Sequence, residues 1–188
     1  MRGLFITFEG IEHCGKTTQA ELLAEHLEAN GHDVIRTHEP GGTPLGTAIR
    51  ELLLHRSLGE VETVAELLLF AADRAQHVRF LIEPALDDGK IVISDRFFDS
   101  TRAYQGYGRR IDMDLINRAI DLATGGLTPD LTVLVDIDAV TSRSRSDEGT
   151  DDRIEKDTDD FFHRIRNGFL KIAEEEGDRY LVLDGTVA

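Results

Sequence analysis

Short apolar runs alternate with longer amphipathic stretches along most of the chain. Residues 4–8, Leu-Phe-Ile-Thr-Phe, read as a buried strand, and residues 33–37, 91–94, 131–136 and 180–183 read as four more. The β-branched run Ile91-Val92-Ile93 is the kind of segment found in a central parallel strand covered on both faces. Between these runs, helical periodicity predicts helices over residues 17–30, 45–55, 62–88, 112–124 and 158–177. In the first of them Ala20, Leu23, Ala24 and Leu27 share one face, and Gly31 supplies a C-terminal cap. Strands alternating with helices in this way indicate an open α/β sheet.

The junction between the first strand and the first helix carries the strongest chemical signal. Gly10 to Thr18 reads GIEHCGKTT and matches the spacing G-x-x-x-x-G-K-[ST] of a phosphate loop. Gly10 and Gly15 allow the tight turns that point successive N–H groups inward, so that with the helix N-terminus they form an anion nest. The expected nucleoside triphosphate site is Gly10, Ile11, Glu12, His13, Cys14, Gly15, Lys16, Thr17 and Thr18. In such a loop Lys16 reaches the terminal phosphates and the Thr17 hydroxyl holds Mg²⁺.

Composition narrows the picture. The 188 residues suffice for one well-filled core, so a single domain is expected. No apolar run approaches the roughly 20 residues of a membrane span, and the first residues read as a strand rather than a signal sequence, which points to the cytoplasm. The single cysteine, Cys14, excludes an internal disulfide and a Cys-rich zinc site. At a helix N-terminus it could be a reactive thiol or a plain packing residue. A net charge of −15 argues against a general nucleic-acid surface. Lys16, Lys90, Lys156 and Lys171 are the only lysines, the other basic residues being arginines, while acidic residues crowd the helices and residues 147–160. Such a balance repels itself at low ionic strength. It fits either a salt-adapted protein or an ordinary acidic one.

Further candidates lie at the carboxyl ends of strands, where open α/β sheets bind ligands. His38-Glu39-Pro40-Gly41-Gly42-Thr43-Pro44 is dense in turn formers with charged neighbours. Asp95-Arg96 follows the central strand, where Asp95 can orient Mg²⁺ and Arg96 can bridge transferring phosphates. On the long third helix Phe70, Arg74 and His77 form one stripe. Periodicity favours a core edge with solvated charge there, and a ligand face with stacking ring and donating guanidinium is the other reading. Tyr104-Gln105-Gly106-Tyr107 offers polar and aromatic groups suited to a nucleoside. Residues 142–155, SRSRSDEGTDDRIE, lack apolar periodicity and are expected to form a small mobile lid, with Arg143, Arg145 and Arg153 able to close over a phosphate chain.

Taken together, FEGIEHCGKTTQ from Phe8, EPGGT from Glu39, LLFAADRAQH from Leu68, DRFFDSTRAYQG from Asp95, PDLTVLVD from Pro129 and DRIE from Asp152 resemble the thymidylate kinases. Many enzymes share a phosphate loop, whereas the other motifs in combination are specific to that family. The resemblance implies a three-layer phosphate-loop fold, a five-stranded parallel sheet flanked by helices, a homodimer, and phosphorylation of dTMP to dTDP with ATP and Mg²⁺. It also implies residue roles. Phe70 would stack on thymine, Arg74 would bond its edge, and Thr101 and Gln105 would lie near the base. Tyr104 would sit against the deoxyribose, Glu12 would meet the sugar 3′-hydroxyl, and Arg96 would hold the acceptor phosphate. Glu9 occupies the family's acidic position after the first strand. The phosphate loop has no arginine, so the resemblance assigns the catalytic arginine to the lid, with Arg153 the best match.

The chain departs from the family at three places. His38 stands where arginine usually precedes Glu-Pro-Gly-Gly, His13 and Cys14 replace small loop residues, and nothing matches the usual C-terminal helix. Two other readings remain open. One is a kinase for a different nucleotide such as dUMP, and the other is a phosphate-loop switch driven by a protein partner. The chain has no Asn-Lys-x-Asp guanine signature, and its second set of nucleotide-facing residues speaks against the switch.

Overall fold

The computed structural model describes residues 2–54, 60–146 and 158–187. Five strands, β1 (Phe5–Glu9), β2 (Val34–His38), β3 (Ile91–Asp95), β4 (Leu131–Asp136) and β5 (Tyr180–Asp184), form one sheet of order β2-β3-β1-β4-β5. All pairs are parallel, with Phe5 opposite Val92 and Ile6 opposite Leu131. The sheet is the five-stranded parallel one that the family resemblance implies.

The side-chain period of two sends alternate residues of β1 to opposite faces. Ile6 and Phe8 join a cluster with Ile93, Val133 and Val135 under α1 (Lys16–Ala29) and α8 (Asp159–Glu175). Phe5 and Val92 join a second cluster with Leu67 of α3 (Thr63–His77) and Ile116 of α6 (Met113–Thr124). Two apolar layers thus sandwich the sheet, giving the expected three-layer arrangement. Thr7 is fully buried in the central strand, and its hydroxyl is satisfied by Thr132 Oγ1 at 2.9 Å. At the edge, β5 leaves Leu181, Val182 and Leu183 exposed.

Helix boundaries follow local chemistry. α1 ends at Asn30, and Gly31 takes the left-handed conformation with φ 85°. α2 spans Pro44–Leu54, and residue 55 of the expected helix lies outside the described residues. The Glu62 carboxylate caps α3 by accepting from Val64 N and Ala65 N.

The long helix expected over residues 62–88 is not uniform. α3 passes into a π-helical segment at Val78–Ile82 and then into α4 (Glu83–Asp87). Pro84 sits in the first turn of α4 and has no N–H to give to the turn before it, so the hydrogen-bond register changes at that point. A second π-helical segment, Arg102–Gly108, continues α5 (Phe98–Thr101) through the Tyr-Gln-Gly-Tyr stretch. Periodicity for 3.6 residues per turn does not reveal either segment.

The segment expected to be a lid begins differently from its sequence reading. Ser142 to Ser144 close α7 (Ala139–Ser144), whose N-terminus is capped by Asp138 accepting from Thr141 N. Ser142 is buried, and its hydroxyl donates to Glu12 O at 2.8 Å. Residues 147–157, including Arg153, lie outside the described residues.

Candidate active site

The end of β1 positions the phosphate loop. Gly10 has φ 144°, and a Cβ on it would stand 2.5 Å from Val135 O, so only glycine fits where the chain leaves the sheet. Gly15, with φ 95°, then turns the chain into α1. Lys16 is buried, and its Nζ donates to Ile11 O at 3.4 Å, which holds the ammonium across the loop. Ile11 and Cys14 point into the core at 2% exposure each, so packing is the reading of Cys14 that the structure supports.

The end of β3 brings the second half. Arg96 adopts φ 73°, an uncommon backbone conformation for a residue with a side chain, while its N–H completes the sheet by donating to Phe8 O at 2.9 Å. Its Nη1 donates to Gly10 O at 2.9 Å and Ser100 Oγ at 3.0 Å. Its Nη2 donates to Glu12 Oε1 at 3.0 Å and to the Tyr104 hydroxyl oxygen at 3.1 Å. The Tyr104 O–H in turn donates to the same Glu12 oxygen at 2.6 Å. Burial opposes the charge on Arg96, yet Tyr104, Glu12, Asp95 and Glu9 around it hold its pKa above the usual arginine value.

Glu9 is fully buried beneath this cluster. It accepts from Phe97 N at 2.8 Å and from the Ser100 hydroxyl at 2.6 Å. Burial, reinforced by the Asp99 carboxylate and only partly offset by Arg96, pushes its pKa up to about 7. Ser100 therefore joins Glu9 to Arg96, a role that the sequence reading did not assign.

Thr17 and Asp95 meet across the loop through a hydrogen bond from the threonine hydroxyl to one carboxylate oxygen. The other, Asp95 Oδ1, is buried without a partner. Among the described residues no group of three or more His, Cys, Asp or Glu side chains could hold a metal. One hydroxyl and one carboxylate nevertheless fit Mg²⁺, which keeps several waters and takes its remaining oxygens from phosphates.

A second part of the cavity lies under α3. Arg74 is only 2% exposed yet lines the cavity, with Nε donating to Glu39 Oε2 at 2.8 Å, Nη1 to Thr101 Oγ1 at 2.9 Å and Nη2 to Phe97 O at 3.1 Å. Gln105 Nε2 donates to Glu66 Oε1 at 2.9 Å. Phe70 is half-buried at the cavity wall. The stripe on α3 is therefore neither a solvated charge row nor a uniform ligand face: Phe70 and Arg74 reach the cavity, and His77 is wholly buried.

A cavity of about 970 Å³ joins these parts. It is lined by Glu12, His13, Gly15, Lys16, Thr17 and Thr18 from the loop and its helix, by Asp95, Arg96, Thr101, Tyr104 and Gln105, and by Phe70 and Arg74. Glu9, Gly10, Ile11 and Cys14 stand behind that wall rather than in it. The cavity also takes in Arg36, His38, Arg50 and Arg145. Arg36 and Arg50 carried no motif signal, being single arginines on otherwise ordinary elements. Arg145 bonds Gly185 O at 2.9 Å beside the loop, whereas Arg143 turns outward to pair with Asp159. His38 lies at the exposed end of β2, and partial desolvation with the nearby Arg50 charge lowers its pKa below the usual histidine value.

Comparison with known proteins agrees with this geometry. A family model described as thymidylate kinase matches residues 8–187. A thymidylate kinase of Sulfurihydrogenibium sp. is 50% identical over 185 residues, covering 98% of this chain and 90% of the relative. One from Carboxydothermus hydrogenoformans is 52% identical over 186 residues, with the same coverages of 98% and 90%. The crystal structure of thymidylate kinase from Ehrlichia chaffeensis superposes with a TM-score of 0.82 at 39% identity, covering 98% of this chain and 89% of that one. With a family model matching residues 8–187, relatives 50% and 52% identical over 98% of the chain and the same fold at 39% identity, the chain belongs to the thymidylate kinase family.

Proposed function

We propose that the cavity binds ATP with Mg²⁺ at the phosphate loop and dTMP under α3, and that the enzyme phosphorylates dTMP to dTDP. The observation that carries this reading is the position of Arg96, which touches Gly10 of the loop on one side and Glu12 and Tyr104 on the other. A cation placed there can hold an acceptor phosphate against a donor phosphate.

The loop N–H groups and Lys16 bind the triphosphate, and Thr17 with Asp95 hold the metal ion. Bound Mg²⁺ neutralises charge on the phosphates. Phe70 stacks on thymine, Arg74 meets its edge, and Thr101 and Gln105 lie beside it. Tyr104 takes the deoxyribose face and disfavours a 2′-hydroxyl. Glu12, with Oε2 buried and unpartnered, accepts from the 3′-hydroxyl. An oxygen of the dTMP phosphate then bonds the γ-phosphorus as the bond to the β–γ bridging oxygen breaks, releasing ADP. Arg96 and Glu9 stand nearest this step, with Glu9 orienting Arg96 through Ser100. Charge spreading onto the γ-oxygens is met by Arg153 from a lid that follows α7, since the loop itself carries no arginine. Closing that lid also excludes water as a competing acceptor.

The same reading makes the chain one kinase domain that works as a cytoplasmic homodimer. Val64 and Leu68 on α3, Leu115 and Leu122 on α6, and Leu45 and Leu52 on α2 are exposed on adjoining helices, an apolar face suited to a second copy. Among the described residues no helix is long and apolar enough to cross a membrane. The acidic surface suits a salt-rich cytoplasm, and its charge disfavours nucleic acid.

A coupled assay with ATP, Mg²⁺ and a panel of nucleoside monophosphates tests the substrate. dTMP should give the highest kcat/KM, and a clear preference for AMP, CMP or UMP would reject the reading.

A further inference from the structure

Beneath the cavity, α3 and the loop after β2 are locked together by charged groups. Glu39 is 3% exposed, Arg74 2% and His77 0%. Glu39 Oε2 accepts from Arg74 at 2.8 Å, and Glu39 Oε1 lies 2.9 Å from His77 Nδ1. The other ring nitrogen, Nε2, lies 2.6 Å from Thr37 Oγ1. An ionised Glu39 can only accept, so Nδ1 carries its hydrogen toward that carboxylate. The ring is thereby held at both nitrogens by residues of one strand and its loop.

The loop is shaped for this ring. A Cβ on Gly42 would stand 2.5 Å from His77 Nε2, and Asp73, one turn before His77, accepts from Gly41 N at 3.2 Å. Of the three anchors of Arg74, Thr101 and the Phe97 carbonyl are neutral, and Glu39 is the charged one. Left alone, the Glu39 carboxylate could turn about its own side-chain bonds. His77 occupies its second oxygen and stops that rotation. His77 itself does not line the cavity.

We propose that His77 is a positioning residue for base recognition: by holding Glu39 it fixes the direction in which Arg74 offers its N–H groups to the cavity. This inference rests on the reading in which Arg74 meets the edge of thymine, taken here as its 4-oxygen. Its prediction is specific to one ligand atom, because only the oxygen that Arg74 bonds should register the misdirection.

The test measures KM and kcat for dTMP and for an analogue lacking the 4-oxygen of the base, in the intact protein and in Arg74→Ala, His77→Ala and His77→Asn. His77→Ala should raise KM for dTMP about tenfold, the scale of one misplaced hydrogen bond, with kcat changed less than about threefold and KM for the analogue unmoved. His77→Asn, whose carboxamide can donate to Glu39, should recover most of the loss. An equal rise for both ligands, or no rise, overturns the positioning role. If Arg74→Ala loses discrimination between the ligands while His77→Ala keeps it, the role of His77 falls and the base reading stands. If Arg74→Ala itself keeps the discrimination, the base reading falls and takes this inference with it. Melting curves establish that His77→Ala is folded. Should it not be, Thr37→Val, which releases Nε2 alone, carries the same comparison: a KM rise confined to dTMP supports the role, and its absence overturns it.

Discussion

The Arg96 guanidinium donates to the carbonyl oxygen of Gly10 at 2.9 Å, tying the end of β3 to the first residue of the phosphate loop. Two motifs 86 positions apart thus share one hydrogen bond, and in the proposed mechanism it sets the cation that holds the acceptor against the backbone that holds the donor. Removing either charge should cost mainly turnover. Lys16→Ala and Arg96→Ala are each expected to lower kcat by at least about 10³-fold, the scale of lost charge stabilisation in phosphoryl transfer. Steady-state kinetics with saturating ATP and dTMP check this, and near-normal rates in either variant would remove that residue from the mechanism.

Gly46 lies in α2, where alanine would ordinarily help a helix. Here a Cβ would stand 2.2 Å from Asp73 Oδ1, a carboxylate that is itself fully buried. Gly46→Ala should therefore destabilise the fold by about 1–3 kcal/mol, the usual cost of overpacking. In an Asp73→Ala background the same substitution should cost much less. Urea unfolding of the four proteins in the cycle measures the coupling.

Glu9 makes stability depend on pH. Its carboxyl titrates at about 7 in the folded chain against 4.5 for the free group, because burial and then Asp99 disfavour its charge. Between those values the folded protein holds a proton that the unfolded chain has released. The contribution to stability is fully present below the lower value and is lost as pH rises through the upper one. Asp73, raised to about 6 by burial and Glu39, acts in the same direction. Denaturant unfolding without nucleotide should show Glu9→Gln losing part of this slope, on the order of 2 kcal/mol between about pH 5 and pH 8. An unchanged slope would show that Glu9 ionises normally.

The excess of acidic residues should make the fold sensitive to ionic strength. With a net charge of −15, screening relieves self-repulsion in the compact state. The melting temperature is expected to rise by about 5 °C or more between low and molar KCl, equivalent to roughly 2 kcal/mol in a chain of this size. A flat or falling curve would mark an ordinary acidic protein.

Much of the fold is legible in local pattern. The apolar run 91–94, the glycine and lysine spacing of residues 10–18 and the amphipathic period of α6 and α8 each lie within one window of chain. The physics that reads them, side-chain alternation and helical pitch, is equally local. For the same reason the π-helical segments at Val78–Ile82 and Arg102–Gly108 leave no mark in local pattern: they keep a helical appearance while changing the hydrogen-bond register. Ser142, in the stretch expected to be a lid, has polar neighbours without periodicity, yet it is buried and donates to Glu12 O.

Sequence alone therefore determined the alternation of strands and helices and the glycine-lysine loop between the first strand and helix, and its motifs pointed to two nucleotides. The tertiary structure decided which side chains share a space. It placed Arg96 on the Gly10 carbonyl, buried Arg74 on Glu39, and drew His77 off the expected stripe into the loop after β2. It also left Glu9 so deeply buried that its pKa is pushed up to about 7. These properties depend on distance and desolvation between residues far apart in the chain, quantities that no local window contains.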